Sequence, residues 1–201
     1  MVDINDFIRD FSILFPIYKS VIPWEITSNL KCIFEEIIPD LGDDYVIVNS
    51  VAIHKTAVVE TGAIIKAPSI IGENSFVGAN AYFREGVFID ANVKIGAGCE
   101  VKSSIICSGT AIAHFNYVGN SIIGHNVNFE AGSVAANHYN ERANKNISVL
   151  YNGKIIGTGA TKFGSLVGDG CRIGANAVLS PGTLLMKSTI VKRLELIEQV
   201  R

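Results

Sequence analysis

From Ile53 onward an aliphatic or aromatic residue recurs at every sixth position without a gap, through Val59, Ile65, Ile71, Val77, Phe83, Ile89 and Ile95 to Val101. Four residues after each stands a second, mostly small position: Ala57, Ala63, Ser69, Ser75, Ala81, Val87, Val93, Cys99 and Ile105. A period of six is neither the 3.6 of a helix nor the 2 of a half-buried strand. It fits a parallel β-solenoid in which three hexapeptides make one triangular coil, each aliphatic residue pointing inward from a short flat side. Gly, Asn and Asp between the beats suit corners that need φ > 0. One coil cannot bury its own core, so the pattern implies a stack.

The beat continues with five-residue steps inserted, through Ile106, Ile112, Val118, Ile123 and Phe129. It fails between about Ala136 and Phe163 and resumes at Val167, Ile173, Leu179, Leu185 and Val191. Within the gap, "ISVLYNGKII" sets Asn152-Gly153 between two apolar runs, a hairpin signal. The chain is therefore expected to leave one corner of the prism over about 138–163 as a loop and hairpin.

Residues 1–50 follow another rhythm. "INDFIRDFSILF" and "PWEITSNLKCIFEEII" carry apolar residues at helical spacing, with Pro23 suiting a helix start and Gly42 a stop. This predicts an N-terminal helical segment (1–50) packed on the first coil as a cap, followed by the solenoid (51–201). The closing "TIVKRLELIEQVR" is expected to finish as a strand or short helix over the other end.

Composition narrows the function classes. The 201 residues carry a formal charge of -2 with no basic or acidic block, which argues against nucleic acid or a membrane surface as partner. No export signal and no run of about 18 apolar residues is apparent, so a soluble, cytoplasmic chain is expected. Cys32, Cys99, Cys107 and Cys171 share no metal-ligand spacing and read as reduced structural thiols.

Three of the four histidines, His114, His125 and His138, fall within Ala111–Asn140. His114 and His125 each follow an inward aliphatic residue by two, which puts them near corners, and His138 opens the excursion. Metal ligation would need donors converging at about 2 Å. A γ-carbonic-anhydrase-like site would need histidines at matching points of adjacent coils, which these spacings do not supply. No metal is expected. Arg84 and Lys102 are one coil of eighteen residues apart and should stack on one corner, as binding of a phosphate monoester requires.

The segment Glu100–Asn137 resembles the acetyltransferase half of bacterial N-acetylglucosamine-1-phosphate uridyltransferase/glucosamine-1-phosphate acetyltransferase. In that family E-x-K leads to H-x-x-Y-x-G, then to G-x-N-V-N-x-x-A-G and an Asn. Here these are Glu100, Lys102, His114, Tyr117, Gly119, Gly124, Asn126-Val127-Asn128, Ala131-Gly132 and Asn137 without a gap, and Arg84 falls at the family's phosphate-binding arginine. "ANK" (Ala143–Lys145) is similar to the segment carrying its substrate lysine, in a loop two residues longer. The "TKFGSLVGDGCRIG" region and the N-terminal "PWE" resemble archaeal bifunctional sugar-phosphate enzymes and short bacterial relatives.

The resemblance implies a left-handed parallel β-helix, a homotrimer with active sites between prisms, and an excursion that reaches over the adjacent subunit. It implies acetyl-CoA-dependent N-acetylation of an amino-sugar 1-phosphate. His114 would be the general base taking the proton of the amine, with Glu100 fixing its tautomer or helping to hold the amine. Arg84 and Lys102 would meet the phosphate, Lys145 would contact the substrate, Tyr117 and Asn128 the sugar hydroxyls, and Asn137 and His138 the acetyl-CoA side, with backbone amides at the corner turns or Asn137 as the oxyanion donor. The family's nucleotidyltransferase domain has no counterpart upstream of residue 51, so uridyl transfer is not expected. The alternatives are acyl transfer to another, nucleotide-linked amino sugar, or a catalytically silent trimeric scaffold.

Overall fold

The computed structural model of the chain describes residues 2–15 and 21–200. It is a left-handed parallel β-solenoid with three flat faces. The first face stacks Val51–His54, Ser69–Ile71, Ile122–Ile123, Ser165–Val167 and Thr183–Leu185 with the second halves of the long strands Tyr82–Ile89 and Glu100–Ile106. The second runs from Val58–Val59 through Lys94–Ile95, Ala111–Ile112 and Asn128–Phe129 to Ile190–Val191. The third runs from Ile64–Ile65 through the first halves of the two long strands, then Tyr117–Gly119 and Val134–Ala135, to Leu196–Ile197. Because the two long strands turn a corner without a break, the first and third faces form one 13-stranded sheet and the second a separate 7-stranded one.

The coil length is visible in the hydrogen bonds. Thr56 Oγ1 accepts the Asn74 amide eighteen residues on, and Ser104 Oγ accepts the Ser121 amide at seventeen. The predicted inward column is the core: Ile71, Val77, Phe83, Ile89, Ile95, Val101, Ile106, Ile112, Val118, Ile123 and Phe129 are all buried, and after the break Val167 to Val191 continue it. Asn74, Asn80, Asn92, Asn126 and Asn176 take the left-handed corner conformation, which Asn tolerates better than other residues with a Cβ.

The excursion is a hairpin, Ser148–Tyr151 against Lys154–Gly157, turning at Asn152-Gly153 with φ 49° and 73° as a primed turn requires. It folds back on its own prism. Ile147, Val149, Tyr139 and Phe163 are buried in one cluster with Leu166 and Leu184 on the outer side of the first face.

The N-terminal segment departs from the expected end cap. After a 3-10 turn (Ile4–Asp6) and the short helix α1 (Phe11–Leu14), helix α2 (Pro23–Ile37) lies along the flank of the first face. Trp24 packs edge-on to Phe163, and Leu30 and Phe34 are buried over Ile70, Phe88 and Ile105. The Phe7 carbonyl and the Arg9 amide meet Asp169, well along the stack. The reason lies in the first face: Ile70, Phe88, Ile105, Ile122, Leu166 and Leu184 point outward from it and need a cover. Each such side chain is worth about 1.5–3 kcal/mol when buried, and the row holds six of them.

The ends are closed by smaller devices. Tyr45–Val48 pairs antiparallel with Val51–His54 through a turn at Asn49 and Ser50, both left-handed. At the other end the Gln199 side-chain amide donates to the Leu184 carbonyl and accepts its N–H (2.9 and 2.8 Å), standing in for a further strand. The closing segment forms the strands Ile190–Val191 and Leu196–Ile197, and Arg201 lies outside the described residues. No described helix is long and apolar enough to cross a membrane.

Candidate active site

The corner between the third and first faces gathers the charged candidates. Arg84 and Lys102 are register partners on adjacent coils, with Gly119 next in the row. Arg84 donates from Nε to Glu100 Oε1 at 2.8 Å, Nη2 lies 2.7 Å from the same oxygen, and Nη1 reaches Glu85 at 2.7 Å. Lys102 has its side chain only 7% exposed and sets Nζ 3.1 Å from the other Glu85 oxygen. Two cations thus face two carboxylates. Burial alone would raise the Glu85 carboxyl, but the bonds and charge of Lys102 and Arg84 outweigh it and hold that carboxyl below its usual range.

Glu85 is there because the strand bulges. The ladder slips between Arg84 and Val87, and Glu85 and Gly86 both have positive φ, 60° and 90°. Gly86 lies so close to α2 that a Cβ would come within 2.9 Å of Leu30 atoms. Ser103 Oγ donates to the Glu85 carbonyl at 2.8 Å and pins the bulge from the next coil. A left-handed conformation costs a residue with a Cβ roughly 1–2 kcal/mol, and here the helix and the ion network offset it.

Tyr117 and Glu100 occupy the next row inward on the same face. The H-x-x-Y-x-G spacing acquires a reason here. Residues i and i+2 of a strand share a face, so the Tyr117 ring lies over Gly119, where a Cβ would come 2.5 Å from its hydroxyl. Burial foremost, and the charge of Glu100, raise the phenol above its usual value, with Arg84 and a hydrogen bond from Asn137 acting the other way. Tyr117 is therefore a neutral donor near pH 7. Asn137 is buried and donates Nδ2 to Asn120 Oδ1 at 2.6 Å.

His114 stands at the other end of this face, at the corner between the second and third faces. It precedes the strand Tyr117–Gly119 by three residues, across the bend at Phe115. The His114 carbonyl accepts from the Gly132 amide (2.9 Å) and from Asn116 Nδ2 (3.2 Å), which holds the corner while the imidazole remains exposed. Beside it Phe115 adopts φ 57° and is 73% exposed, in a corner column otherwise kept by Gly and Asn until Leu194. A bulky residue in that conformation is uncommon.

Several sequence expectations change here. Glu100 is engaged by Arg84, not by His114. Asn137 sits at the charged corner with its amide N–H on Asn120, away from His114. Asn128 is exposed on the second face beside Arg172, in a hollow of about 610 Å³ that Glu130, Lys192 and Arg193 also line. Lys145 is exposed on the excursion loop and forms no ion pair among the described residues. His138 is exposed with Nδ1 3.3 Å from Asn137 Oδ1, whereas Tyr139 is buried, donates to the Pro181 carbonyl at 3.1 Å and lies under Arg142. His125 is a corner residue with Nδ1 2.8 Å from Ser108 Oγ. No metal-binding group of His, Cys, Asp or Glu occurs among the described residues. Glu85 was not among the expected site residues; its signal is the five-residue step from Val101 to Ile106 opposite the six-residue step from Phe83 to Ile89, which leaves one extra residue at Glu85-Gly86.

Comparison with known proteins agrees with this architecture. Residues 68–103 match the bacterial transferase hexapeptide (six repeats), and residues 155–185 the hexapeptide repeat of succinyl-transferase. A bifunctional sugar-1-phosphate nucleotidylyltransferase/acetyltransferase of Sulfurisphaera tokodaii is 37% identical over 166 residues, covering 80% of this chain and 41% of that protein. The bifunctional protein GlmU of Methanococcus maripaludis is 38% identical over 175 residues, covering 84% and 41%. The chain thus spans less than half the length of these relatives. A hexapeptide transferase family protein from Anaplasma phagocytophilum superposes with a TM-score of 0.51 at 19% identity, covering 70% of this chain and 72% of that one, which shows the shared fold. The chain is a hexapeptide-repeat β-solenoid, with the fold of that hexapeptide transferase family protein.

Proposed function

We propose that this acyltransferase-type solenoid is an acetyl-CoA-dependent N-acetyltransferase acting on an amino-sugar 1-phosphate of the glucosamine 1-phosphate kind, with His114 as general base. One observation carries the reading: a row of side chains along the third face, from two cations at one corner, past Glu100 and Tyr117, to an exposed imidazole at the other. An amino-sugar 1-phosphate offers the matching groups, an anion for the two cations and an amine for the imidazole; they sit on neighbouring ring carbons, so the long Arg84 and Lys102 side chains would reach along the face toward His114. The name of the Sulfurisphaera tokodaii relative, a sugar-1-phosphate nucleotidylyltransferase/acetyltransferase, supports an acetyl transfer in a sugar-phosphate context.

In this reading Arg84 and Lys102 take the phosphate, Arg84 by its planar fork and Lys102 as a buried point charge. Tyr117, a neutral donor, orients the sugar. The amine, held as the free base, attacks the thioester carbonyl of acetyl-CoA; His114 accepts the proton lost from nitrogen as the C–N bond forms. The tetrahedral intermediate collapses with cleavage of the C–S bond, and CoA leaves with the electron pair. Backbone N–H groups at the corner turns are the oxyanion donors closest to hand.

Asn128 joins this row only if a second copy supplies it. The first face is covered by the chain's own N-terminal segment and hairpin, but the other two are open. Val58 and Ile190 on the second, and Ile64 and Leu196 on the third, are more than half exposed. A ring of three copies, second face against third, would cover them and bring Asn128 and the hollow of Arg172 and Lys192, where Arg193 is paired with Glu130, beside a neighbour's His114. That hollow suits the phosphates of the CoA donor. We place the protein in the cytoplasm, where acetyl-CoA is available.

The test is thiol release from acetyl-CoA against a panel of amino sugars and amino-sugar 1-phosphates, run beside His114→Ala, with the mass in solution measured in parallel. Release with a phosphorylated acceptor, lost in the variant, supports the reading. No release with any acceptor, or full activity in the variant, overturns it.

A further inference from the structure

The charged corner is neutral as it stands. Arg84 spends Nε and Nη2 on Glu100 and Nη1 on Glu85, and Lys102 spends its ammonium on Glu85. The two Glu85 oxygens, one on each cation, stand where two oxygens of a phosphate monoester would have to stand. A dianion brought to this corner would meet two carboxylates as well as two cations, so one carboxylate must leave.

Glu85 is the one that can. Its side chain is 54% exposed, against 35% for Glu100 and 7% for Lys102. Its backbone is clamped by the Gly86 approach to α2 and by Ser103, so rotation of its side chain into solvent disturbs no packing. Glu100 lies one row inward, between Tyr82 and Tyr117, and keeps the Arg84 fork oriented.

We propose that Glu85 is a built-in stand-in for the acceptor's phosphate, holding Arg84 and Lys102 in place in the empty protein and swinging out when a phosphate monoester binds. It is a specificity residue: an acceptor without a phosphate cannot displace it, and a weakly charged anion displaces it poorly. This rests on the phosphate-binding part of the function proposed above.

The test uses glucose 1-phosphate, which lacks the amine and cannot be acetylated, titrated calorimetrically into wild type, Glu85→Gln and Glu85→Ala. Both variants are expected to bind at least fivefold more tightly than wild type, with melting curves showing that they fold. Equal or weaker binding in the variants, or no binding to any of the three, overturns the proposal. A second measurement needs no variant: the Glu85 side-chain carboxyl, followed by carbon NMR during a pH titration, should titrate at higher pH when glucose 1-phosphate saturates the site. An unchanged or lower midpoint overturns the proposal. The thiol-release assay separates the two readings. Wild type that acetylates glucosamine 1-phosphate while Glu85→Gln shows no gain in binding sinks only the Glu85 role. Tighter binding in Glu85→Gln without acetyl transfer sinks only the acetyltransferase.

Discussion

The two corners that bound the third face are built on opposite plans. At the Arg84 corner every charged group has a partner, the bulge is braced by a helix, and the buried lysine is 7% exposed. At the His114 corner the imidazole is exposed and its neighbour Phe115 juts into solvent from a strained backbone. The first is complete within one chain. The second has a fixed backbone but an open side, as a catalytic group needs if a donor molecule or a second subunit is to close over it. On the proposed function, the first corner would hold the acceptor and the second would be completed by the donor or a second subunit.

That contrast makes His114→Ala the most costly change to activity and among the least costly to folding. Loss of a general base should reduce thiol release about 10²–10⁴-fold, while the melting temperature stays unchanged because the ring is exposed. A large fall in melting temperature would mean that the open corner is not open. Next, Arg84→Ala should raise the acceptor KM about 10–100-fold, the worth of one or two charge-assisted bonds, with kcat much less affected. A fall in kcat alone would place Arg84 with the chemistry instead.

Gly86→Ala attacks the brace. An added Cβ would sit 2.9 Å from Leu30 at a φ of 90°, and strain of this kind is worth on the order of 1–3 kcal/mol. Calorimetry should show a lower melting temperature, by about 2–4 °C for each kcal/mol, together with a weaker acceptor KM as the bulge shifts. Phe115→Asn should act with the opposite sign, stabilising by about 1 kcal/mol through relief of the left-handed strain. A melting temperature that falls instead would show that the Phe115 ring, which rests against Gly98, contributes more by packing than its backbone loses.

The smallest effect concerns acid. The Glu85 carboxyl is held below its ordinary value of 4.5 by Lys102 and Arg84. A lowered folded-state pKa contributes stability that is fully present above the unfolded value and is lost as pH falls through the folded one. The half-exposed side chain keeps this contribution small. Melting temperatures of Glu85→Gln should therefore depend less steeply on pH below about 4.5 than those of wild type, and be indistinguishable in slope near neutrality.

Much of this was legible in the residues because a repeat writes its geometry many times over. The inward column from Ile53 to Val191, the break after Ala136 and the Asn152-Gly153 turn each follow from local rules of burial and backbone conformation. The stacking of Arg84 on Lys102 follows from coil length alone, and the structure places them in register. The N-terminal segment was harder. Its apolar spacing showed that it must pack on something, but what it packs on is the outward row Ile70, Phe88, Ile105, Ile122, Leu166 and Leu184, whose residues sit beside the inward beat and look like part of it.

The candidate site was half legible for a related reason. The family resemblance pointed to His114 and Tyr117, and coil length to Arg84 beside Lys102, yet Glu100 pairs with Arg84, and Asn128 lies around a corner on another face. Taken alone, the sequence determined the solenoid, its coil length and the kinds of side chain that line its corners, since each depends on near neighbours repeated in register. Which groups meet was decided only in three dimensions. The five-residue step from Val101 to Ile106 marks where an extra residue must lie, but that Glu85 meets both cations there, braced by α2 at Gly86, depends on contacts between segments far apart in the chain.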